Sequence, residues 1–261
     1  MAPLLPRMHV FEIDDQPCLA ARVLQHHLPV YPSHTYIDFC AGGGGPTPEI
    51  ERIVNDGLKR RGIDEAAFVM TDLHPNVESW RRCCIGRRTL AFEPESVDAR
   101  DGGDVVRRWA GKGRRGSEEG RVCRLFNLAF HHFDDGLAGD ILRDTVETSH
   151  AFAIFELQDR HFSSFLPTLL LLPATFLLAP LYAIKHRSLS ALFFTYIIPI
   201  IPFVLVFDGW MSGLRTRTPE EVEAMLRKHG GPEADKWKVK SGRERHLWPC
   251  GYVNWMVCYK E

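Results

Sequence analysis

The sequence predicts an α/β protein built on a doubly wound, mostly parallel sheet that carries a hydrophobic helical insertion. Three observations predict it. Short apolar runs alternate with amphipathic stretches of helical period through the first 160 residues. Four consecutive glycines, Gly42–Gly45, follow the first of those runs at once. Two uncharged stretches, Phe162–Ile184 and Ser188–Phe207, then interrupt an otherwise soluble pattern.

The elements follow in chain order. Pro17, Pro29 and Pro32 limit regular structure in residues 1–35, where Cys18–His27 is expected to form a short helix. Tyr36–Cys40 reads as a buried strand running into the glycine turn. Thr47–Arg61 carries Ile50, Ile53, Val54 and Leu58 at helical spacing, and Gly62 stops it. Phe68–Thr71 reads as a second strand ending at Asp72, and Val77–Cys84 as a helix. A third strand is expected to end at Val97–Asp101, a fourth to span Leu125–Phe130 and a fifth Ala151–Leu157, with a helix at Gly136–His150. Arg107–Gly120 mixes glycines with both charges and reads as a solvated loop. Thr218-Pro219-Glu220-Glu221 is a helix start, with a capping residue, a proline at the first position and a glutamate three residues past the cap. Lys236–Lys240 and Tyr252–Tyr259 read as closing strands. The expected organisation is an N-terminal segment at 1–35, a core at 36–161, the hydrophobic insertion at 162–207 and a completion of the core at 208–261.

Composition bounds the function. The chain has 261 residues, with 32 Lys and Arg against 33 Asp and Glu. That size suits one α/β domain with an insertion. The near-neutral balance gives no reason to expect a nucleic-acid partner. The seven cysteines are odd in number and form no C-x-x-C pair. This argues against a disulfide framework or a zinc site and for a reducing compartment. The start, MAPLLPRMHVFEIDD, lacks the features of a secretory signal, so the soluble part is expected to face the cytoplasm.

A strand, a glycine turn and a helix make a site for a ligand with an adenosine, a carboxylate, an amine and a sulfonium, such as S-adenosylmethionine. Glycines let the backbone approach closely, and free N–H groups at a helix start receive a carboxylate. Asp38 is placed to orient the turn or to take up the ammonium group. Asp72 is placed for the ribose hydroxyls and Asp98 for the adenine amino group. A dinucleotide site wants G-x-G-x-x-G and an acid about 20 residues on. Here the pattern from Gly42 meets Thr47 where the third glycine should stand, and Asp72 comes late.

Asp38-Phe39-Cys40-Ala41-Gly42-Gly43-Gly44-Gly45-Pro46 resembles the first motif of class I S-adenosylmethionine-dependent methyltransferases, more narrowly a bacterial and fungal group with a D-x-x-x-G-G-G-G-P turn. Phe11–Pro17, Val97-Asp98-Ala99, Phe126–Phe133, Phe155-Glu156-Leu157, Asp208-Gly209 and Leu214–Glu221 resemble the same group. The resemblance covers nearly the whole chain. It implies a seven-stranded sheet whose last strand is antiparallel, and donor contacts from the turn (Ala41, Gly42, Gly43, Gly44), Asp72 and Asp98. The stretch between Pro17 and Tyr36 is shorter than in such relatives, where N-terminal helices often close over the donor.

His131 and His132 sit just past the fourth strand, where ligands bind in parallel sheets. One of them is a candidate base for an acceptor hydroxyl, the alternative being a helix cap or a packing role. Asn127 reads as structural or a donor contact, and Glu156 and Asp159 as further acceptor-side groups. Metal binding by the pair is not expected, because neighbours in an extended segment point to opposite faces.

Each uncharged half of 162–207 is about long enough to cross a bilayer, which takes roughly 20 residues. Pro167, Pro173, Pro180, Pro199 and Pro202 interrupt them, and Lys185-His186-Arg187 would lie on the side opposite a cytoplasmic domain. Three readings stand: a two-helix membrane hairpin, a re-entrant or interfacial dip, or a lid over an apolar pocket. Membrane contact is the preferred one, with a hydrophobic small molecule or lipid as acceptor. An inactive membrane adaptor that keeps the fold, or a soluble methyltransferase with a hydrophobic lid, are the alternatives. The oligomeric state is not legible.

Overall fold

The computed structural model describes residues 16–110, 120–247 and 251–261. Most of the Arg107–Gly120 loop and the Phe11–Asp15 segment lie outside them. Helix α1 spans Gln16–His27, strand β1 His34–Phe39, α2 Thr47–Arg60, β2 Phe68–Thr71, α3 Val77–Cys84, β3 Leu90–Phe92 and α4 Gly103–Trp109. Strand β4 spans Arg121–Asn127, α5 Asp135–Thr148 and β5 Ala151–Glu156. The insertion comprises α6 Phe162–His186, α7 Leu189–Leu192, a π-helical turn at Phe193–Ile197 and α8 Ile200–Arg215. Helix α9 at Pro219–His229 and strands β6 Trp237–Leu247 and β7 Gly251–Lys260 complete the chain.

These strands form one seven-stranded sheet in the order β3-β2-β1-β4-β5-β7-β6. Strands β1 to β5 are parallel, and β7 runs antiparallel to both β5 and β6. This is the doubly wound sheet with an antiparallel last strand that the sequence and the resemblance implied. The strand order reverses direction between β1 and β4. A crevice therefore opens beyond the carboxyl ends of those two strands. One face of the sheet packs on α1, α2 and α3 through residues such as Leu24, Val54 and Trp80. The other packs on α4, α5 and α9 through Val106, Leu142 and Leu226.

Three strand readings need correction. The third strand is Leu90–Phe92, not a strand ending at Val97–Asp101. Pro94 lacks the N–H that would continue the ladder, so the chain leaves the sheet and returns only with Val97 N–H on Asp72 O, 2.9 Å. The fourth strand starts at Arg121 and ends at Asn127. Two arginines hide its apolar pattern, and one of them, Arg124, is fully buried. The edge strand β6 runs eleven residues. Its charged outer face, as edge strands favour, made it read shorter.

Arg124 ties the second face together. Its guanidinium donates to Ser149 Oγ at 2.9 Å, Thr148 Oγ1 at 2.6 Å and Ala99 O at 3.2 Å, pairs with Asp144, and lies 4.6 Å from the Phe39 ring centre. It thus joins β1, β4, α5 and the turn after Asp98. Removing one member of a buried ion pair leaves the other uncompensated. Arg124→Ala should lower stability by about 3 kcal/mol or more in chemical denaturation, and a loss below 1 kcal/mol would contradict this role.

Helix α6 is 25 residues long and apolar enough to cross a membrane. At 1.5 Å per residue it extends about 37 Å. The return arm is bent by 77° between Leu189–Ile197 and Ile200–Arg215, and α8 runs unbroken through Phe207 and Asp208. Among described residues, every exposed large apolar side chain except Val30, Leu73 and Ile85 lies between Phe162 and Leu214.

Candidate active site

The glycine turn lies at the end of β1, at the sheet's switch point. Cys40, Gly42, Gly44 and Gly45 all have positive φ, at 70°, 54°, 114° and 51°. Gly44 is the position where only glycine serves: φ is far from any region open to side chains, and a Cβ would meet Cys83 Sγ at 3.3 Å. Helix α3 holds the turn from one side, with Trp80 Nε1–H donating to Gly42 O at 2.9 Å and Ser79 Oγ to Gly43 O at 2.8 Å. Added Cβ atoms at Gly42 and Gly43 would meet nothing within 4 Å. Those two glycines present bare backbone to open space.

Asp38 sits beneath the turn, 1% exposed. Its Oδ2 accepts from Thr47 Oγ1, and Thr47 Oγ1 in turn accepts from Asn127 Nδ2 at 3.0 Å. This chain binds the end of β1, the first residue of α2 and the end of β4 into one buried unit. Asp38 Oδ1 and Asn127 Oδ1 are buried without partners. Burial pushes the Asp38 carboxyl up to about 7, against the lowering effect of its neighbours Thr47 and Asn127.

Asp72 closes the turn across β2. Its Oδ2 accepts from Gly42 N–H at 2.8 Å and its Oδ1 from His74 N–H at 2.8 Å. Each oxygen keeps acceptor capacity for a further donor. Asp98 is differently engaged. It accepts from Arg100 N–H at 2.9 Å and pairs with the Arg100 guanidinium, which holds its carboxyl below the usual range. Asp38, Asp72 and Asn127 are thus gathered around the Ala41–Gly44 turn, whereas Asp98 already has a cation. The start of α2 offers fewer N–H groups than expected, because Pro46 and Pro48 have none. In the turn itself the Gly42 N–H is taken by Asp72 Oδ2 and the Gly44 N–H by Ala41 O, at 2.8 Å each.

Beyond β4, Leu128 adopts φ 56°, an uncommon conformation for a bulky residue. It turns the chain into a short helical segment, Phe130–His132. The two histidines are therefore not in an extended segment, and the expectation that they point to opposite faces fails: their ring centres lie 4.2 Å apart. His131 is held by Glu156 at the end of β5, through its backbone N–H to Oε1 at 3.1 Å and its Nδ1–H to Oε2 at 2.8 Å. That tautomer, assigned from the carboxylate partner, leaves Nε2 as the proton acceptor of the ring. Burial, and then His131, lower the pKa of His132 and keep it neutral. The helix cap is neither histidine but Asp134, which accepts from Leu137 N–H at 2.8 Å.

Two cavities open on this side. His131 and His132 line one of about 770 Å³, and Glu156 and Asp159 line a neighbour of about 580 Å³. Arg160 and Arg217 border both. Sequence reasoning missed Thr47, Arg217 and Asn254. In the sequence Thr47 stands at a helix start and in place of a third glycine, and its hydroxyl near Asp38 is the available signal.

No family model matches the chain, and no curated protein does. Solved structures resemble it at low identity. LepI in complex with SAM is 10% identical over 92% of this chain, with a TM-score of 0.46. The pyocyanin biosynthetic protein PhzM is 12% identical over 92%, with a TM-score of 0.47. The methyltransferase domain of bacterial CtHen1 is 12% identical over 95%, with a TM-score of 0.48. The chain spans 46% of LepI, 54% of PhzM and 99% of the CtHen1 domain. The assignment of the fold rests on the chain's own strand order.

The Asp38 carboxyl gives a pH signature. Unfolded, it ionises near 3.8, and folded at about 7. Between those values the unfolded state has released the proton and the native state retains it, so rising pH favours unfolding. Ligand-free stability should therefore fall from pH 4 to pH 7 by about 4 kcal/mol at most from this group. The difference between wild type and Asp38→Asn in melting curves isolates it, and identical pH slopes would refute it.

Proposed function

We propose that the chain transfers the methyl group of S-adenosylmethionine to a hydrophobic small molecule or lipid-like acceptor at a membrane surface. One observation carries the donor half. The open faces of Gly42 and Gly43 stand at the switch point of the sheet, over two buried acceptor oxygens, Asp38 Oδ1 and Asn127 Oδ1, that lack partners. A ligand with an ammonium group and a carboxylate fits that cradle: donors for the orphan oxygens, backbone N–H groups for the carboxylate. Asp72 is the carboxylate placed for ribose hydroxyls, and Asp98 could take the adenine amino group only by sharing with Arg100.

When bound, the donor supplies an activated methyl on a good leaving group. The protein's task is then to hold an acceptor in line and, for a hydroxyl, to remove its proton. His131 suits that task. Glu156 fixes its ring through Nδ1 and leaves Nε2 free to take up the proton. His132 stays neutral beside it.

The membrane half rests on the insertion. Its outward surface is apolar over both arms, far beyond the few hundred square ångströms that soluble monomers expose. Pro180 leaves the Phe176 carbonyl without its helical N–H partner, and Tyr196 OH donates to that carbonyl. Such internal satisfaction is what a hydrocarbon environment requires. The bend of the return arm favours a re-entrant or interfacial seat over two straight spans. A soluble lid would have to cover this surface, and α6 is instead mostly exposed.

Three outcomes are expected. Gly43→Val, whose side chain meets open space, should melt like wild type yet show no heat with S-adenosylmethionine in calorimetry; retained binding would refute the cradle. His131→Ala should keep the donor heat and lose labelled product when membranes are incubated with labelled donor and the extract is read by mass spectrometry. In flotation without detergent the protein should rise with liposomes, and monodisperse protein that ignores them would refute the membrane half.

A further inference from the structure

Helices α6 and α8 pack along each other and leave a cleft of about 500 Å³ between them. Its lining is entirely apolar, including Leu169, Leu172, Phe203, Phe207 and Trp210. Trp210 lines the end nearest the sheet, edge-on to Phe165 and donating from Nε1 to Phe165 O at 3.4 Å. Next to it, Gly209 lets α8 lie against Thr168 and Gln158, and Gly213 lets it lie against the Asp159 carbonyl. Asp159 lines the cavity that contains Glu156. The apolar cleft thus ends about one helical turn, roughly 5 Å, from the rim of that cavity.

The cavity has a polar group with no role in the fold. Asn254 lies opposite Glu156 in the β5–β7 register and lines the cavity. Its Nδ2 is buried and has no partner. A buried donor left unmade is costly, and an oxygen from outside the chain would satisfy it. The surrounding guanidiniums are already matched: Arg160 with Glu221 at 2.6 Å, Arg217 with Asp135 at 2.8 Å and Arg243 with Asp159 at 3.0 Å. Each guanidinium thus already has a carboxylate beside it that offsets its charge, which weakens the pull on a further anion, whereas a hydroxyl or carbonyl on Asn254 needs no charge partner.

We infer that cleft and cavity hold one neutral amphiphile, with a single alkyl or isoprenoid chain between α6 and α8 and an oxygen-bearing head on Asn254. This names the acceptor class for the methyl-transfer reading and rests on it for the ligand's role as acceptor. It assigns Asn254 as a positioning residue and Leu172 and Phe203 as walls of the tail site.

The test uses the full chain in phosphatidylcholine vesicles with a trace of hexadecanol carrying a mid-chain diazirine. After photolysis, adducts should concentrate on Leu172 and Phe203 over the outward Leu178 and Leu181. Unlabelled hexadecanol should compete better than hexadecane, and Asn254→Leu should erase that difference. Leu172→Trp, which fills the cleft, should remove most adducts, and Leu178→Trp should not. Labelling spread evenly over outward positions, the signature of surrounding lipid only, would overturn the inference, as would equal competition by alcohol and hydrocarbon in the wild type. A donor titration on the same preparation separates the two proposals. Cleft labelling without donor heat retains the amphiphile site and removes methyl transfer, and donor heat without cleft labelling does the reverse.

Discussion

A carboxyl buried at the end of β1 with only one oxygen engaged is the constraint around which the molecule is arranged. Burying Asp38 is expensive unless something answers it. The fold answers half of the demand with Thr47, and Asn127 steadies Thr47 from the neighbouring strand. Those bonds fix where α2 begins relative to β1 and β4, and so fix the curve of the glycine turn between them. The other oxygen is buried without a partner. Burial raises the pKa of the carboxyl, against the lowering effect of its bond to Thr47.

The end of β5 shows the same economy with a different outcome. Glu156 is as buried as an acid normally tolerates, and both its oxygens are used by one residue, His131. Both oxygens are engaged within the protein, and one of them holds the imidazole. The strained turn at Leu128 is what brings that imidazole to the end of β5. Without the left-handed step the chain would run on along the strand direction, past Glu156. The two acids therefore differ: Asp38 keeps one oxygen without a partner, whereas Glu156 spends both on one residue.

Most of the fold was legible because apolar periodicity and punctuation agree. Phe68–Thr71 and Val77–Cys84 are bounded as the sequence indicates, and the capping box at Thr218–Glu221 is present. The misread strands are those where a long-range interaction overrides local pattern. Arg124 looks like a surface residue until its partners on α5 and the Ala99 turn are known. In the site, the turn and Asp72 were legible from order and spacing. Thr47, Asn254 and the turn at Leu128 were not, because each takes its meaning from a neighbour far away in sequence. Asp98 shows the converse: spacing put an acid at the right place, but a local arginine engages it.

The insertion is coupled to the chemistry by its root. Strand β5 delivers Glu156, and within six residues the same chain has become α6. Helix α8 returns to the same point and can do so only because Gly209 and Gly213 carry no side chains. Just beyond its end, Arg217 donates to Phe130 O at 3.3 Å and Phe133 O at 2.7 Å, bracketing the histidines. Both arms of the apolar hairpin are therefore anchored on the segments that carry Glu156 and His131. A tilt of the hairpin would bear first on that pair rather than on the glycine turn, which is held from the opposite face by α3. Glycine turn and hairpin are thus held by different elements, and the histidine–glutamate pair lies at the root of the hairpin.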